Sequence, residues 1–351
     1  MLISELIDSA RSEGCSDLHI TAGTAVAFRK FGQLIVKDDI VPSLDESEAM
    51  IFSLLSRNEI DIVNQGKDLD IALTDDRNGR LRINVYHQRN NLACSIRLLE
   101  KKIPTFEELG INKKILANFA ERRSGMVLVT GPTGSGKSTT LASMIEYINK
   151  TQARHVITVE DPIEYVFDHK KAMIHQRQVG RDVDSFATAL RSSLREDPDV
   201  IMVGEMRDFE TISAAITAAE TGHLVLSTLH TKSAAQTVER IVSACPISAR
   251  DTVIHQFASV LAGVITQELI PLKDGTGRIP CTEVMVNTKA ISNLIREQKT
   301  NQINALLQSN MSLGMHTMSH SMMQAYKFGK ITKDAALAHY SSPEDLEKLF
   351  P

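Results

Sequence analysis

Met126-Val127-Leu128-Val129-Thr130 runs directly into Gly131-Pro132-Thr133-Gly134-Ser135-Gly136-Lys137-Ser138-Thr139, and a helical pattern follows from Lys137. The first run reads as a buried strand. The second fits G-x-x-x-x-G-K-[ST] in the strand–loop–helix setting that the pattern requires. Its glycines let backbone N–H groups turn inward around a phosphate with no Cβ in the way. Lys137 is expected on the β- and γ-phosphates and the Ser138 hydroxyl on Mg²⁺, with the positive end of the helix dipole behind them. Gly131, Thr133, Gly134, Ser135, Gly136, Lys137, Ser138 and Thr139 are therefore the expected nucleotide-binding residues, for ATP with Mg²⁺. A glycine-rich turn with a chance lysine is the bland alternative, and the agreement of motif with context argues against it.

Downstream, apolar runs alternate with helical stretches: His155–Val159, a helix from Asp184, Val200–Val203, a helix from Asp208, then Leu224–Leu229. Alternation of this kind predicts an α/β domain, a parallel sheet with helices on both faces. Carboxylates at the C-terminal ends of such strands lie where ligands bind. The run ending at Val159 continues into Glu160-Asp161-Pro162-Ile163-Glu164-Tyr165. Pro162 fixes a sharp exit that aims Glu164 back at the phosphates, as general base for the attacking water. A solvated acidic loop is the competing reading. The strand Asp199–Val203 ends in Gly204-Glu205, which places Glu205 to hold Mg²⁺ through water, although many P-loop proteins carry Asp where this chain has Gly204. The strand Leu224–Leu229 is bracketed by His223 and His230. His230 is expected near the γ-phosphate as a sensor and His223 among the nucleotide contacts, against the alternative of a structural histidine.

The chain before the loop has a different texture. Leu2–Ser12, Ser43–Leu55 and Arg57–Gln65 read as helices. Asp17–Thr21, Val26–Phe31 and Leu69–Leu73 read as strands. Arg80–His87 and Leu92–Leu99 alternate with period two about the polar turn Gln88-Arg89-Asn90-Asn91, a hairpin signal. Centred between Arg89 and Asn90, that turn sets Arg82 opposite Arg97. Two unpaired like charges there are destabilising and suggest an anion between them, whereas solvated arginines with carboxylate neighbours would need none. The expected organisation is an N-terminal α+β domain over 1–100, a linker over 101–111 containing Pro104, and the ATPase domain over 112–351 with a helical C-terminal part.

Bulk composition agrees. The 351 residues are 42% hydrophobic and 23% charged with a net charge of −4, a soluble globular composition with no electrostatic footprint for nucleic acid. Cys15, Cys94, Cys245 and Cys281 include no C-x-x-C pair, so neither a zinc ribbon nor a disulfide framework is expected. Met1–Gly14 lacks the apolar core of a signal peptide, and Thr252–Gln267, which contains His255 and Gln256, reads as a core helix rather than a membrane span. Met315, Met318 and Met322, near His316 and His320, read as a helix core face rather than a copper tract.

In this order the clusters resemble the secretion ATPase superfamily, and within it the type IV pilus retraction ATPases. The likeness extends to Ser16-Asp17-Leu18-His19, Leu194-Arg195-Glu196-Asp197-Pro198-Asp199, Gly204-Glu205-Met206-Arg207-Asp208 and Ala290-Ile291-Ser292-Asn293-Leu294-Ile295-Arg296-Glu297. Gly204 is expected in that family, and the last segment resembles its retraction motif with Ser292 where Arg is usual. The resemblance implies a PAS-like N-terminal domain joined to a RecA-like ATPase domain, assembled as a homohexameric ring. It implies a cytoplasmic motor at the inner-membrane face that meets the membrane only through partners, chiefly the pilus platform protein. It also implies that Arg82 and Arg97 act as arginine fingers on transition-state charge. Extension ATPases of the superfamily are longer and carry a tetracysteine zinc site, and this chain has neither feature. A nucleotide kinase, a nucleotide-gated scaffold and a secondary retraction paralogue are the rival readings. A kinase would need a second substrate pocket with an arginine-rich lid. A scaffold would have no need of Glu164 and Glu205.

Overall fold

Short alternating runs build the first hundred residues of the chain. The computed structural model describes residues 2–30, 32–75, 79–99 and 102–350. Among them β1 (Asp17–Thr21), β2 (Val26–Lys30), β3 (Gln33–Lys37), β4 (Leu69–Asp75), β5 (Gly79–Gln88) and β6 (Asn91–Leu98) form one sheet in the order β3-β2-β1-β6-β5-β4. Every neighbouring pair is antiparallel. Alternation decides the faces: Leu81, Ile83 and Val85 of β5 are fully buried, while Arg80, Arg82 and Asn84 point the other way and are half-exposed. The helix Ile3–Ser12 buries Ile3, Leu6, Ile7 and Ala10, the spacing of a single apolar stripe, in the core of this sheet. The β5–β6 turn is centred on Arg89 (φ 48°) and Asn90 (φ 63°), both left-handed as a two-residue type I′ turn demands. It pairs Arg82 with Arg97.

The second sheet holds β7 (Gly125–Thr130), β8 (His155–Glu160), β9 (Met173–Gln178), β10 (Val200–Val203), β11 (Leu224–Leu229), β12 (Leu261–Pro271) and β13 (Arg278–Val286). Its order is β13-β12-β7-β11-β10-β8-β9, parallel throughout except for β13 at the edge. The α/β expectation therefore holds, and the antiparallel first sheet with its helices matches the expected α+β domain.

Three expectations are corrected. Thr252–Gln267 is not one helix: the helix Arg250–Val260 stops and β12 begins at Leu261, beside β7. Continuous apolarity cannot separate a buried helix from a buried strand, and here the change of element falls inside the run. Residues 103–111 are not a free linker. Contacts divide the chain into Met1–Lys102 with Pro162–Tyr165, and Ile103–Asp161 with Val166–Pro351. Phe106, 3% exposed at the start of the helix Phe106–Leu109, stacks on Tyr147 at 4.8 Å between ring centroids. Finally, Met315, Met318, Met322 and Met323 are all buried as core residues, but the helix starts at Met318, so Met315 reaches the core from the preceding loop.

Candidate nucleotide site

Parallel strands carry their loops to one edge, and β11 runs between β7 and β10. The phosphate loop after β7, Glu205 after β10 and His230 after β11 therefore share the C-terminal edge of the second sheet. Lys137, 8% exposed in the first turn of the helix Lys137–Thr151, donates from Nζ to the carbonyls of Gly131 (2.8 Å) and Pro132 (2.9 Å). Gly131 has φ 140°, and a Cβ there would stand 2.2 Å from the Gln267 carbonyl oxygen and 2.6 Å from Ser135 Oγ. No other residue fits that crossing. Gly136 enters the helix at φ 89°, also left-handed. Thr133, Gly134 and Ser138 are exposed, Thr139 is half-buried and Ser135 is buried, so the open side of the loop is backbone and hydroxyl.

Glu205 has a side chain 15% exposed, with Oε1 2.7 Å from Arg207 Nη2 and Oε2 3.6 Å from His230 Nε2. That distance would suit an ion pair, but the imidazole is held below its ordinary pKa. Burial is the main cause, and the Lys137 charge adds to it against the pull of Glu205. Burial therefore favours the neutral imidazole at this contact. The influence of Lys137 also ties His230 to the loop. Glu160, one residue beyond Val159, is 8% exposed and accepts from Thr158 Oγ1 (2.7 Å) and Gln176 Nε2 (3.1 Å).

Three of the remaining expected residues belong to the first unit. Glu164 is half-buried and groups with the first unit, where the neighbouring Ile163 carbonyl accepts from Arg80 Nε (3.0 Å) and Nη2 (2.8 Å). Arg82 and Arg97 are opposite one another as expected, but the premise of unpaired charges is corrected. Asp70 takes Arg82 through two contacts, at 2.7 and 3.2 Å, and Asp17 takes Arg97 at 2.9 Å. Repulsion within the hairpin therefore calls for no anion. His223 is also corrected. It precedes β11, its carbonyl accepts from Gly125 N at 3.1 Å, and Nδ1 lies 2.9 Å from the Ala218 carbonyl. A strand of this length separates it by roughly 20 Å from the phosphate-loop edge, so its observed job is to close the end of the helix Phe209–Glu220.

Sequence reading missed four contributors: Thr266, Gln267, Arg207 and Glu283. Thr266 Oγ1 pairs with Thr130 Oγ1 at 2.9 Å, and Gln267 Nε2 donates to the Ser135 carbonyl at 3.4 Å. Glu283 is buried, which raises its pKa, and accepts from Ala234 N at 2.7 Å. It thereby anchors the helix Ala234–Ser243, which starts just after His230. Two adjacent polar residues near the end of an apolar run were the available signal for Thr266 and Gln267, and reading that run as a helix hid it.

The profile of the type II/IV secretion system protein family matches residues 1–333. The chain belongs to this family. It is 41% identical over 347 residues to the type IV pilus retraction ATPase PilT of Pseudomonas aeruginosa, covering 98% of this chain and all of that one. It is 44% identical over 304 residues to a twitching motility protein of Neisseria gonorrhoeae, covering 87% of this chain and 81% of that one. The P. aeruginosa type IV pilus ATPase PilU is 36% identical over 346 residues, covering 99% of this chain and 90% of that one. Among solved structures, that of the pilus retraction motor PilT with bound ADP superposes with a TM-score of 0.89 at 43% identity, covering 99% of both chains. The Legionella pneumophila ATPase DotB superposes with a TM-score of 0.83 at 28% identity, covering 95% of this chain and 94% of that one.

Proposed function

We propose that this chain is an ATP-hydrolysing motor that powers retraction of type IV pili. One observation carries the reading. The phosphate loop, Glu205 and His230 share one edge of a parallel sheet, in a chain 41% identical to a pilus retraction ATPase over nearly its whole length. The loop binds the phosphates of ATP through its backbone N–H groups and Lys137, with Ser135 and Thr139 flanking. The exposed Ser138 hydroxyl and the Glu205 carboxylate offer the hard oxygen donors that suit Mg²⁺, which when bound supplies charge neutralisation at the phosphates. Glu205 is held meanwhile by Arg207 and His230, and a neutral His230 can donate to or accept from a γ-phosphate oxygen or the attacking water. Glu164 orients and deprotonates that water, and Arg82 and Arg97 stabilise transition-state charge, leaving Asp70 and Asp17 to do so.

No helix among the described residues is long and apolar enough to cross a membrane. We infer a homohexameric ring at the cytoplasmic face of the inner membrane, pushing on the pilus platform protein. The test at the level of chemistry is Lys137→Ala. ATP turnover should fall by at least about 100-fold, the scale of losing one preorganised charge contact. Hydrolysis within a few-fold of the parent would mean that the loop is not the catalytic site. Likeness to PilU supports a second reading, a secondary retraction ATPase, which differs in cellular role and not in chemistry.

A further inference from the structure

Gln267 grips the phosphate loop from beneath. It follows Thr266, which pairs with Thr130 at the end of β7, so its side chain lies alongside the loop rather than within the sheet. It is 2% exposed. Its backbone oxygen stands where a Cβ on Gly131 would fall, and its Nε2 donates to the Ser135 carbonyl at 3.4 Å. One residue thus touches the first and the fifth positions of the loop. The Ser135 carbonyl can only accept, which assigns the amide nitrogen to it and turns Oε1 away. Gln267 Oε1 is buried without a hydrogen-bond partner, and so is Ser135 Oγ. An orphaned acceptor and an orphaned donor therefore sit on the two residues already joined by the 3.4 Å contact.

Buried polar groups in native proteins are nearly always paired, so complementary orphans on two residues already in contact mark an arrangement poised for another. Lys137 has the same character, spending its ammonium on the carbonyls of Gly131 and Pro132. A phosphate in such a loop is met by backbone N–H groups and by the lysine ammonium, which would compete with those two carbonyls. We propose that Gln267 is a positioning residue that latches the phosphate-loaded loop, with Ser135 Oγ–H donating to Gln267 Oε1 in that state. The latch rests on the nucleotide reading above, and it acts through the loop without touching the reacting atoms.

The test is a double-mutant cycle on the full chain with Gln267→Met, which keeps length and volume, Ser135→Ala, and the pair. ADP dissociation constants are measured by calorimetry, ATP turnover gives KM and kcat, and melting is followed without nucleotide. Each single variant should weaken ADP about tenfold and raise KM, and Gln267→Met, which lies outside the loop, should keep kcat within about twofold. The pair should be no weaker than the weaker single, because both changes remove the same bond. A packing role alone would lower the melting temperature and leave KM in place. Unchanged ADP affinity in Gln267→Met, or additive losses in the pair, would overturn the latch while leaving nucleotide binding intact. Were Gln267→Met to misfold, Ser135→Ala reports on the same bond from the loop side, and ADP affinity equal to the parent there would also overturn it. If the parent chain itself bound no ADP, the nucleotide reading would fall and the latch with it.

Discussion

His230 and Glu164 separate what charge does from what proton transfer does. An imidazole beside Glu205 would ordinarily be drawn toward the charged form, yet burial and the nearby Lys137 ammonium outweigh that pull and keep its pKa below the usual 6.5. The folded chain thus favours the neutral ring. Its contribution to stability is fully present above 6.5 and is lost as pH falls through the lower folded value. Between about pH 7.5 and 5.5 the melting temperature of the parent should fall further than that of His230→Gln, which has no proton to take up in that window. Equal falls would mean that His230 titrates alike in both states. Glu164 is half-buried. In the proposed role of general base it would supply proton transfer and not binding, so Glu164→Gln should slow turnover by about 100-fold while ADP affinity stays near that of the parent. Loss of ADP binding in that variant would reassign Glu164 to folding or metal binding.

At the scale of elements, the β5–β6 hairpin and the helix Lys289–Arg296 pose different questions. The half-exposed Arg82–Asp70 pair contributes at most about 1 kcal/mol, so Arg82→Ala should cost little stability, whereas Arg97→Ala strands the carboxylate of the buried Asp17 and should cost more. If the arginines stabilise transition-state charge, each variant should lose turnover severely, and Arg82→Ala should do so at nearly unchanged melting temperature. Asp70→Asn should keep it, and near-normal turnover in both alanine variants would end the arginine-finger role. In the helix, Ile291 and Ile295 are fully buried and Ser292 Oγ donates to the Ala258 carbonyl at 3.0 Å. Replacing the whole segment would remove two core isoleucines at about 2–5 kcal/mol each, so it cannot isolate a surface role. Asn293, Arg296 and Glu297 are exposed. Changing these three to alanine should leave ATP turnover within about twofold. Twitching measured on agar should nevertheless be lost, and retained twitching would remove the helix from force transmission. Much of this was legible from the chain alone. The loop, β10 and β11 each join a short β-branched run to residues whose chemistry names their end of the strand. The β5–β6 turn and register followed from strict alternation. What escaped reading depended on partners far along the chain. β12 looks like a helix until β7 is present to pair with it, Asp70 and Asp17 quench arginines that appear unpaired in isolation, and His223 faces the far end of the strand it precedes.

At the scale of the molecule, the proposed catalytic set is divided between the compact units. Glu164, Arg82 and Arg97 belong to one, and the phosphate loop, Glu205 and His230 to the other. With those roles, turnover needs residues of both units. A scaffold that only bound nucleotide would not need its acid and its loop on separate bodies. The cellular consequence distinguishes the readings. Removing a retraction motor leaves assembly running unopposed, so cells should carry more surface pili and stop twitching, whereas removing an extension motor leaves them without pili. Returning the gene with Glu164→Gln should restore the protein, as followed by immunoblot, but not twitching, since the chain would bind ATP without turning it over. Pilus counts by electron microscopy decide between these outcomes. Bald cells after deletion would reverse the assigned direction of the motor, and restored twitching with the Glu164→Gln gene would favour the scaffold over the motor.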